Sequence, residues 1–421
     1  MILSRRALMA STGAAAAGLS VPALAQNKTE ITYWQYSFPV KETAVNELIP
    51  EFERQNPGIR VKHETFPYAN FSTKVASAVP AGTGPDVVNL FFGWLPQYMK
   101  GGFLQPLPET VFPAAAIEAE FFPLVQAAKI EGKYYALPTA VRSLALFYNK
   151  ELFRKAGLDP EKPPTTLAEY RDMAVKLTQR DAAGNVTVAG SAMQPSGQGV
   201  NWVRDVLVRQ FGGEPYAEGG RKVAYDSPAG AAAMGWYLDL IRKDKVGFPG
   251  FMTDDVTAFR AHRAAMNIDG SFRLAALNAQ KDLDYAVAEL PVHNGKRANS
   301  PSFWANGITR GATGPKLDAA AKFVAFMASP EAMSGWLGKV GELPARKAIA
   351  LTPQNLADPK IGPFIKGLEY GQATLLVDEM GQRQALLDAV DEAVASNRDA
   401  AEVVKRMARR EQQVLDDFYD R

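Results

Sequence analysis

From residue 31 the chain shifts between two hydrophobic periods. Ile31-Thr32-Tyr33-Trp34 is a short β-prone run, and from Val40 to Gln55 the apolar residues Val45, Leu48, Ile49 and Phe52 recur at helical spacing. Asn56-Pro57-Gly58 stops that helix, and Ile59 to His63 alternates as a second strand. A helix from about Phe71 to Val79 ends at Pro80-Ala81-Gly82, and Pro85 to Leu90 reads as a third, buried strand. Strands alternating with helices predict a parallel α/β sheet, whose ligand crevice lies at the C-terminal ends of the strands. The loops after Trp34 and after Leu90 are therefore the first places to look for contacts.

Later helix starts are marked by their caps. Thr166-Leu167-Ala168-Glu169 is a capping box, while Ser227-Pro228 and Ser329-Pro330-Glu331 place a cap before a proline at the first helical position. From Gln382 to about Phe418 the apolar residues Leu386, Val390, Val394, Val403, Val404, Met407, Val414 and Phe418 predict two amphipathic helices packed on a lobe. No repeat, low-complexity tract or long linker interrupts the α/β pattern, so two lobes joined by short ordered crossings would hinge rather than drift.

Length supports two lobes: 421 residues with 47% apolar content exceed what one core usually holds. The absence of cysteine removes disulfides, thiolate metal sites, a cysteine nucleophile and a lipid-modified cysteine. At the N-terminus, Ser4-Arg5-Arg6-Ala7-Leu8-Met9, an apolar Gly/Ala-rich stretch to Leu19 and Val21-Pro22-Ala23-Leu24-Ala25 have the layout of an export signal over residues 1–25, with cleavage expected after Ala25. The paired arginines resemble a twin-arginine signal, although Ala10 stands where that motif often has lysine, and an ordinary Sec signal is the alternative. No later run reaches the ~20 apolar residues of a spanning helix, so the released chain is expected to be soluble and periplasmic, in a Gram-negative bacterium. Without Arg5 and Arg6 the 47 basic residues become 45 against 45 acidic ones, which argues against a nucleic-acid surface.

In order along the chain come FERQNPGIRV (Phe52 to Val61), ASAVPAGTGPDVV (Ala76 to Val88), GFLQPL (Gly102 to Leu107), GKYYALP (Gly132 to Pro138), LFYNKELFRKAGL (Leu146 to Leu158), AMNIDGSF (Ala265 to Phe272) and GELPAR (Gly341 to Arg346). This ordered set resembles the extracellular solute-binding proteins of the sugar-binding family that includes maltose-binding protein. The resemblance implies an α/β, two-lobed periplasmic-binding-protein fold of type II character, with a ligand cleft where the chain crosses between lobes. It implies crossings near Pro138 to Ala140, Leu290-Pro291 and Pro344 to Arg346. One lobe then spans 26–139 plus 290–345 and the other 140–289 plus 346–421. It further implies no cofactor, a small-molecule solute, the membrane permease of an ABC importer as partner, and a monomer.

A cleft for sugars needs flat aromatic faces against ring C–H groups and rigid donors and acceptors for hydroxyls. Trp34 and Tyr36 follow the first strand, where the family commonly places contacts, and Phe92-Gly93-Trp94 follows the third. Trp202 follows a glycine-rich segment and matches an aromatic contact position of the family's other lobe. Gly270-Ser271-Phe272 follows the apolar strand Ala264 to Ile268, where the family has a ligand-facing aromatic, and Trp304 and Asn306 follow a crossing. Trp236 and Trp336 sit within helices and read as packing residues. Arg142 and Arg346, each just past a crossing, are placed either to fork onto solute oxygens or to form a hinge salt bridge. Asp86 reads as a loop brace and Glu342 as an acceptor for sugar hydroxyls or an exposed carboxylate. Both arginines in the cleft would favour a phosphorylated polyol, and dominance by aromatics an uncharged sugar.

Catalysis finds little support. His63, His262 and His293 form no metal-binding doublet, so no metal site is expected, and there is no G-x-S-x-G elbow, P-loop or dinucleotide fingerprint. An exported glycosidase, whose two carboxylates meet only in space, is the rival enzyme reading, and a subunit presenting solute to a sensor is a third.

Overall fold

The computed structural model describes residues 28–193, 197–217 and 219–420. The export signal read from residues 1–25 lies outside them. The principal elements are β1 (Thr29–Tyr36), α1 (Pro39–Gln55), β2 (Ile59–Phe66), α2 (Tyr68–Ala78), β3 (Val87–Phe91), β4 (Ala136–Arg142), β5 (Leu144–Asn149), α3 (Leu167–Leu177), α4 (Pro228–Arg242), β6 (Met266–Gly270), β7 (Tyr285–Ala288), β8 (Ser302–Ile308), α5 (Pro315–Met327), α6 (Pro330–Val340), β9 (Leu343–Pro344), α7 (Glu379–Ser396) and α8 (Ala400–Tyr419).

Two sheets organise the two lobes. The larger runs β9-β4-β8-β3-β1-β2 and the smaller β6-β5-β7. Burial follows position in the sheet: β3, β4 and β8 are buried along their whole length, whereas β2 at the edge alternates, with Arg60 and Lys62 outward and Ile59 and Val61 inward. The parallel sheet predicted from the first strands holds for β1, β2 and β3 only. The remaining pairs, β8 with β3 and β4, β9 with β4, and both pairs of the smaller sheet, are antiparallel. Of these, β5 and β8 enter straight from a crossing, without the helical crossover that a parallel neighbour requires.

Two apolar clusters form the core. Ile31, Phe52, Val88, Phe303 and Phe323 belong to one, and Leu146, Tyr170, Val206, Leu240 and Val403 to the other. The smaller sheet contributes to both, with Phe147 and Tyr285 in the first and Leu146 and Ile268 in the second. The capping box forms in full: Thr166 Oγ1 accepts from the Glu169 amide and Glu169 accepts from the Thr166 amide. Ser227 and Ser329 cap α4 and α6 through the amides of Gly230 and Ala332. The two terminal helices form α7 and α8 and pack on α4, burying Leu386, Val390, Val403, Val404 and Met407, while Val394 stays exposed and Leu415 turns inward instead.

The chain steps between sheets at Ser143, the one residue separating β4 from β5. Its hydroxyl donates to the Phe364 carbonyl at 2.6 Å. Asn299, on the segment returning from β7 to β8, clasps this step: its side chain accepts from the Leu144 amide at 3.0 Å and donates to the Leu144 carbonyl at 2.8 Å. The chain between β9 and α7, the third passage, joins the same waist further on than Pro344 to Arg346, with the Gln372 amide on the Asn299 carbonyl at 3.0 Å and Ser300 Oγ 2.5 Å from Thr374 Oγ1. Three crossing segments that bond one another in this way make a hinge of few residues.

Candidate functional site

At the waist, residues of both lobes wall a cavity of about 380 Å3. The first lobe contributes Tyr36, Phe38, Tyr68, Phe91 and Trp304. The second contributes Gly197, Gln198, Phe272, Met380 and Arg383, and Arg142 stands at the step between sheets. Hollows of about 420 and 570 Å3 lie elsewhere, but neither has an aromatic ring in its wall.

One wall is a ring platform built by neighbouring strand ends. Tyr36 closes β1, Trp304 lies on β8, and their rings stack. Phe91, the last residue of β3, packs 5.6 Å from Trp304. Trp94 meets Trp304 edge-on at 5.3 Å from behind, so it supports the wall without lining it. Behind Tyr36 and Trp304 the ammonium of Lys41 is buried, 5.3 and 5.6 Å from their ring centroids.

The opposite wall depends on glycine. Gly197 has φ +52°, and a Cβ there would stand 3.1 Å from Asp269 Oδ1 and 3.2 Å from Arg273 Nη2. Its neighbour Gln198 is held by its amide on Asp269 Oδ1 at 3.2 Å and reaches across with Nε2 to Ser302 Oγ in the first lobe. A Cβ at Gly270 would come within 2.5 Å of Gln198 Oε1, so β6 ends on a residue without a side chain. Arg383 donates from Nη1 to the Gly197 carbonyl at 2.9 Å and from Nε to Glu379 Oε1 at 2.6 Å.

Arg142 links the walls. It pairs with Glu342, its Nη2 lies 3.5 Å from the Tyr36 hydroxyl, and its guanidinium carbon sits 4.5 Å from the Phe272 ring centroid. Glu342 also pairs with Lys41 at 3.0 Å and accepts from Trp336 Nε1 at 2.9 Å. Burial raises the Glu342 carboxyl, but Arg142, Lys41 and the Trp336 hydrogen bond outweigh it and bring it down to about 2. The carboxylate is therefore charged at any physiological pH.

Of the residues singled out in the sequence, Tyr36, Arg142, Phe272 and Trp304 line this cavity. Gly270 shapes it by leaving room, and Ser271, fully buried, follows without lining it. The others lie elsewhere, for physical reasons. Trp34 sits two residues back along β1, packed on Phe66 and donating to Glu64 Oε2 at 2.6 Å. Phe92 turns into the sheet against Phe303 at 5.2 Å. Trp202 lies in a π-helical turn, Trp202–Val206, and points into the second core among Tyr170, Trp236 and Tyr237. Asn306, at 0% exposure, bonds Tyr33 Oη, Asn89 Nδ2 and Thr139 Oγ1 and so cross-links strands. Glu342 is a buried partner of Arg142, not an exposed carboxylate. Arg346 points away, to the Ala328 carbonyl at 2.8 Å, to Glu120 and over the Phe121 ring. Asp86 does brace its loop, accepting from the Thr32 amide at 2.9 Å and pairing with Lys316 at 3.0 Å. The reading of the sequence missed Phe38, Tyr68, Phe91, Gly197, Gln198, Met380 and Arg383. Tyr68 and Phe91 carried a signal, each standing at the edge of a predicted element beside the first-strand crevice.

Among the described residues no group of three or more His, Cys, Asp or Glu could hold a metal ion, and no helix is long and apolar enough to cross a membrane. The glycerol-3-phosphate-binding periplasmic protein UgpB of Escherichia coli K12 is 25% identical over 413 residues, covering 88% of this chain and 90% of its own. A solute-binding protein of an ABC transporter from Thermotoga lettingae, solved with α-D-tagatose, superposes with a TM-score of 0.79 at 24% identity, over 92% of this chain and 100% of the other. The acarbose-binding GacH receptor of Streptomyces glaucescens gives 0.78 at 21%, over 93% and 99%. These two structures share the two-lobed fold. The pattern that defines bacterial extracellular solute-binding proteins matches residues 47–363, and the chain belongs to that family.

Proposed function

We propose that this solute-binding protein captures a carbohydrate or related polyol in the cavity at its waist and delivers it to the membrane permease of an ABC importer, without catalysing a reaction. The observation that carries the reading is the make-up of the cavity. Aromatic rings from both lobes, Tyr36, Trp304 and Phe272 among them, suit the C–H faces of a sugar, and Gln198, Arg142 and Arg383 suit its hydroxyls. Gln198 Oε1 and Trp304 Nε1, on two residues of the wall, are buried with no hydrogen-bond partner among the described residues, and buried polar groups are ordinarily paired. Contacts on both walls would favour the closed arrangement of the lobes, the form that docks on the permease. The lobes are divided at the passages around residues 139–143, 290–301 and 345–374. The leader over residues 1–25 would bring the chain to the periplasm by the twin-arginine or Sec route, where it acts as a monomer.

A second reading is a phosphorylated polyol. Arg142 and Arg383 both line the cavity, and the relative from Escherichia coli is named for glycerol 3-phosphate. A thermal-shift screen of the chain, stripped of solute by unfolding and refolding, decides between them. Its panel holds maltose, D-tagatose, glycerol and sn-glycerol 3-phosphate. A true solute at ~100-fold over its Kd stabilises by roughly 3 kcal/mol and is recovered intact. Response to the phosphate and not to neutral sugars selects the second reading. Hydrolysis of a glycoside, or no response to any polar solute, overturns both.

A further inference from the structure

We propose that Lys41 and Trp336, neither of which lines the cavity, are positioning residues that set the pose of Arg142 by dividing the two oxygens of Glu342. Gly341, at φ +76°, ends α6 in the left-handed conformation and turns the chain so that Glu342 enters the protein beside that helix. Glu342 Oε2 then accepts from Trp336 Nε1 at 2.9 Å. All the cationic contacts fall on Oε1: Lys41 Nζ at 3.0 Å, and Arg142 through both Nε and Nη2.

A carboxylate with both oxygens free meets a guanidinium as a fork, one N–H to each oxygen. Here the indole holds one oxygen, so Arg142 meets only the other, along its Nε and Nη2 edge. Its bonds to protein among the described residues use Nε and Nη2 and leave out Nη1, in a residue that lines the cavity. Lys41 adds a charge effect. One carboxylate serves two cations, so the cluster keeps a unit of positive charge that Glu342 does not cancel. The surplus is tolerated in a buried place because the ammonium lies 5.3 to 5.9 Å from the rings of Tyr36, Phe38, Trp304 and Trp336. The titratable and charged groups packed on Glu342 are Lys41 from α1, Arg142 from β4 and, through Arg142, Tyr36 from β1.

Only the binding half of the test rests on the proposed function. Without solute, a carbon-13 carboxyl titration of Glu342 in the full chain should show Lys41→Met raising its midpoint by more than about one pH unit, with Lys41→Arg close to wild type. A crystal structure of Trp336→Phe should show Arg142 bonded to both Glu342 oxygens. An unchanged titration together with an unchanged Arg142 pose overturns the proposal. With solute, the probes are maltose, D-tagatose and sn-glycerol 3-phosphate. Whichever of them wild type binds should bind at least ~10-fold more weakly to Lys41→Met and Trp336→Phe, and within ~2-fold to Lys41→Arg. Wild-type affinity in both weakened variants, checked as folded by their melting transitions, also overturns it. If wild type takes none of the probes, the solute class is wrong, and the titration and the Arg142 pose still decide the positioning role.

Discussion

The rings of Tyr36 and Trp304 lie nearly parallel, 28° apart with centroids separated by 4.0 Å, although they stand 268 positions apart in the chain. The sheet brings them together by setting β8 and β1 on either side of β3. Stacking holds each ring in one orientation, so the apolar surface it leaves to the cavity is stiff and costs little entropy to order. Trp304→Ala should therefore lower solute affinity by at least ~10-fold, while Trp304→Phe, which keeps a ring in the stack, should lose less than half of that free energy. Titration calorimetry of both variants with a solute identified in the screen checks this. Equal losses would mean that the indole nitrogen, not the ring face, carries the contact.

Trp202 calls for the opposite expectation. With 4% exposure and three aromatic neighbours in the second core, its removal opens a cavity far from any solute. Trp202→Ala should cost about 3–5 kcal/mol of stability and leave affinity within ~2-fold at temperatures where the variant is folded. Urea unfolding beside calorimetry separates the two effects, and a large affinity loss with little change in the unfolding midpoint would return Trp202 to the cleft.

These two tryptophans show what was legible in the sequence. The first strands and helices carry clear periods, and their places follow from the residues alone. The platform was half legible: strand alternation sets Trp34 and Tyr36 on one face, but only the last residue of β1 reaches the cavity, while Trp34, one pleat repeat or about 6.6 Å back, is covered by Phe66. Trp202 follows a glycine-rich run that suggests a loop, yet it occupies a helical turn whose inward side no periodicity of so short a segment could reveal. Gln198, Met380 and Arg383 lay beyond reach for another reason. Gln198 becomes a neighbour of Tyr36 after one passage between sheets and Met380 and Arg383 after three, and no local pattern records that meeting. Arg142 and Arg346 look alike in sequence, each just past a crossing. What separates them is the nearest acceptor, a buried Glu342 for one and the Ala328 carbonyl with Glu120 for the other.

His63 gives the first lobe a dependence on acid. Its ring stacks on Tyr33 at 5.4 Å and its Nδ1 lies 2.8 Å from Asn46 Oδ1. Burial lowers the imidazole to about 4, against an opposing pull from Glu42. Because the folded value lies below the unfolded value of 6.5, the unfolded chain binds the extra proton between those limits. The contribution is complete above pH 6.5 and disappears as pH falls toward 4. His63→Gln should flatten the slope of stability in that window, measured as urea midpoints at pH 7, 5.5 and 4.5 for both proteins. Parallel curves would show that the histidine is not held neutral by the fold.

The C-terminal helix is secured to the hinge by a buried polar network, and its central residue makes the sharpest stability prediction. Glu411 on α8 accepts from Tyr225 Oη at 2.6 Å, from Gln382 Nε2 at 2.9 Å and from Tyr216 Oη, and it lies 3.6 Å from Arg204 Nη1. Arg204 also neighbours Asp205, whose Oδ2 accepts from Thr374 Oγ1 at 2.7 Å in the third passage between lobes. Every charge in this set is fully buried, so replacing one partner strands the others. Glu411→Ala takes one of two counter-charges from the Arg204 guanidinium and the acceptor from two phenol hydroxyls, and should cost about 3–5 kcal/mol. Glu411→Gln keeps an acceptor oxygen and should cost less, with its loss falling mainly on the Arg204 pair. Denaturant unfolding of the two variants checks the order. If Glu411→Ala is as stable as wild type, water or a rearranged Asp205 satisfies Arg204, and the network does not fasten α8 to the waist.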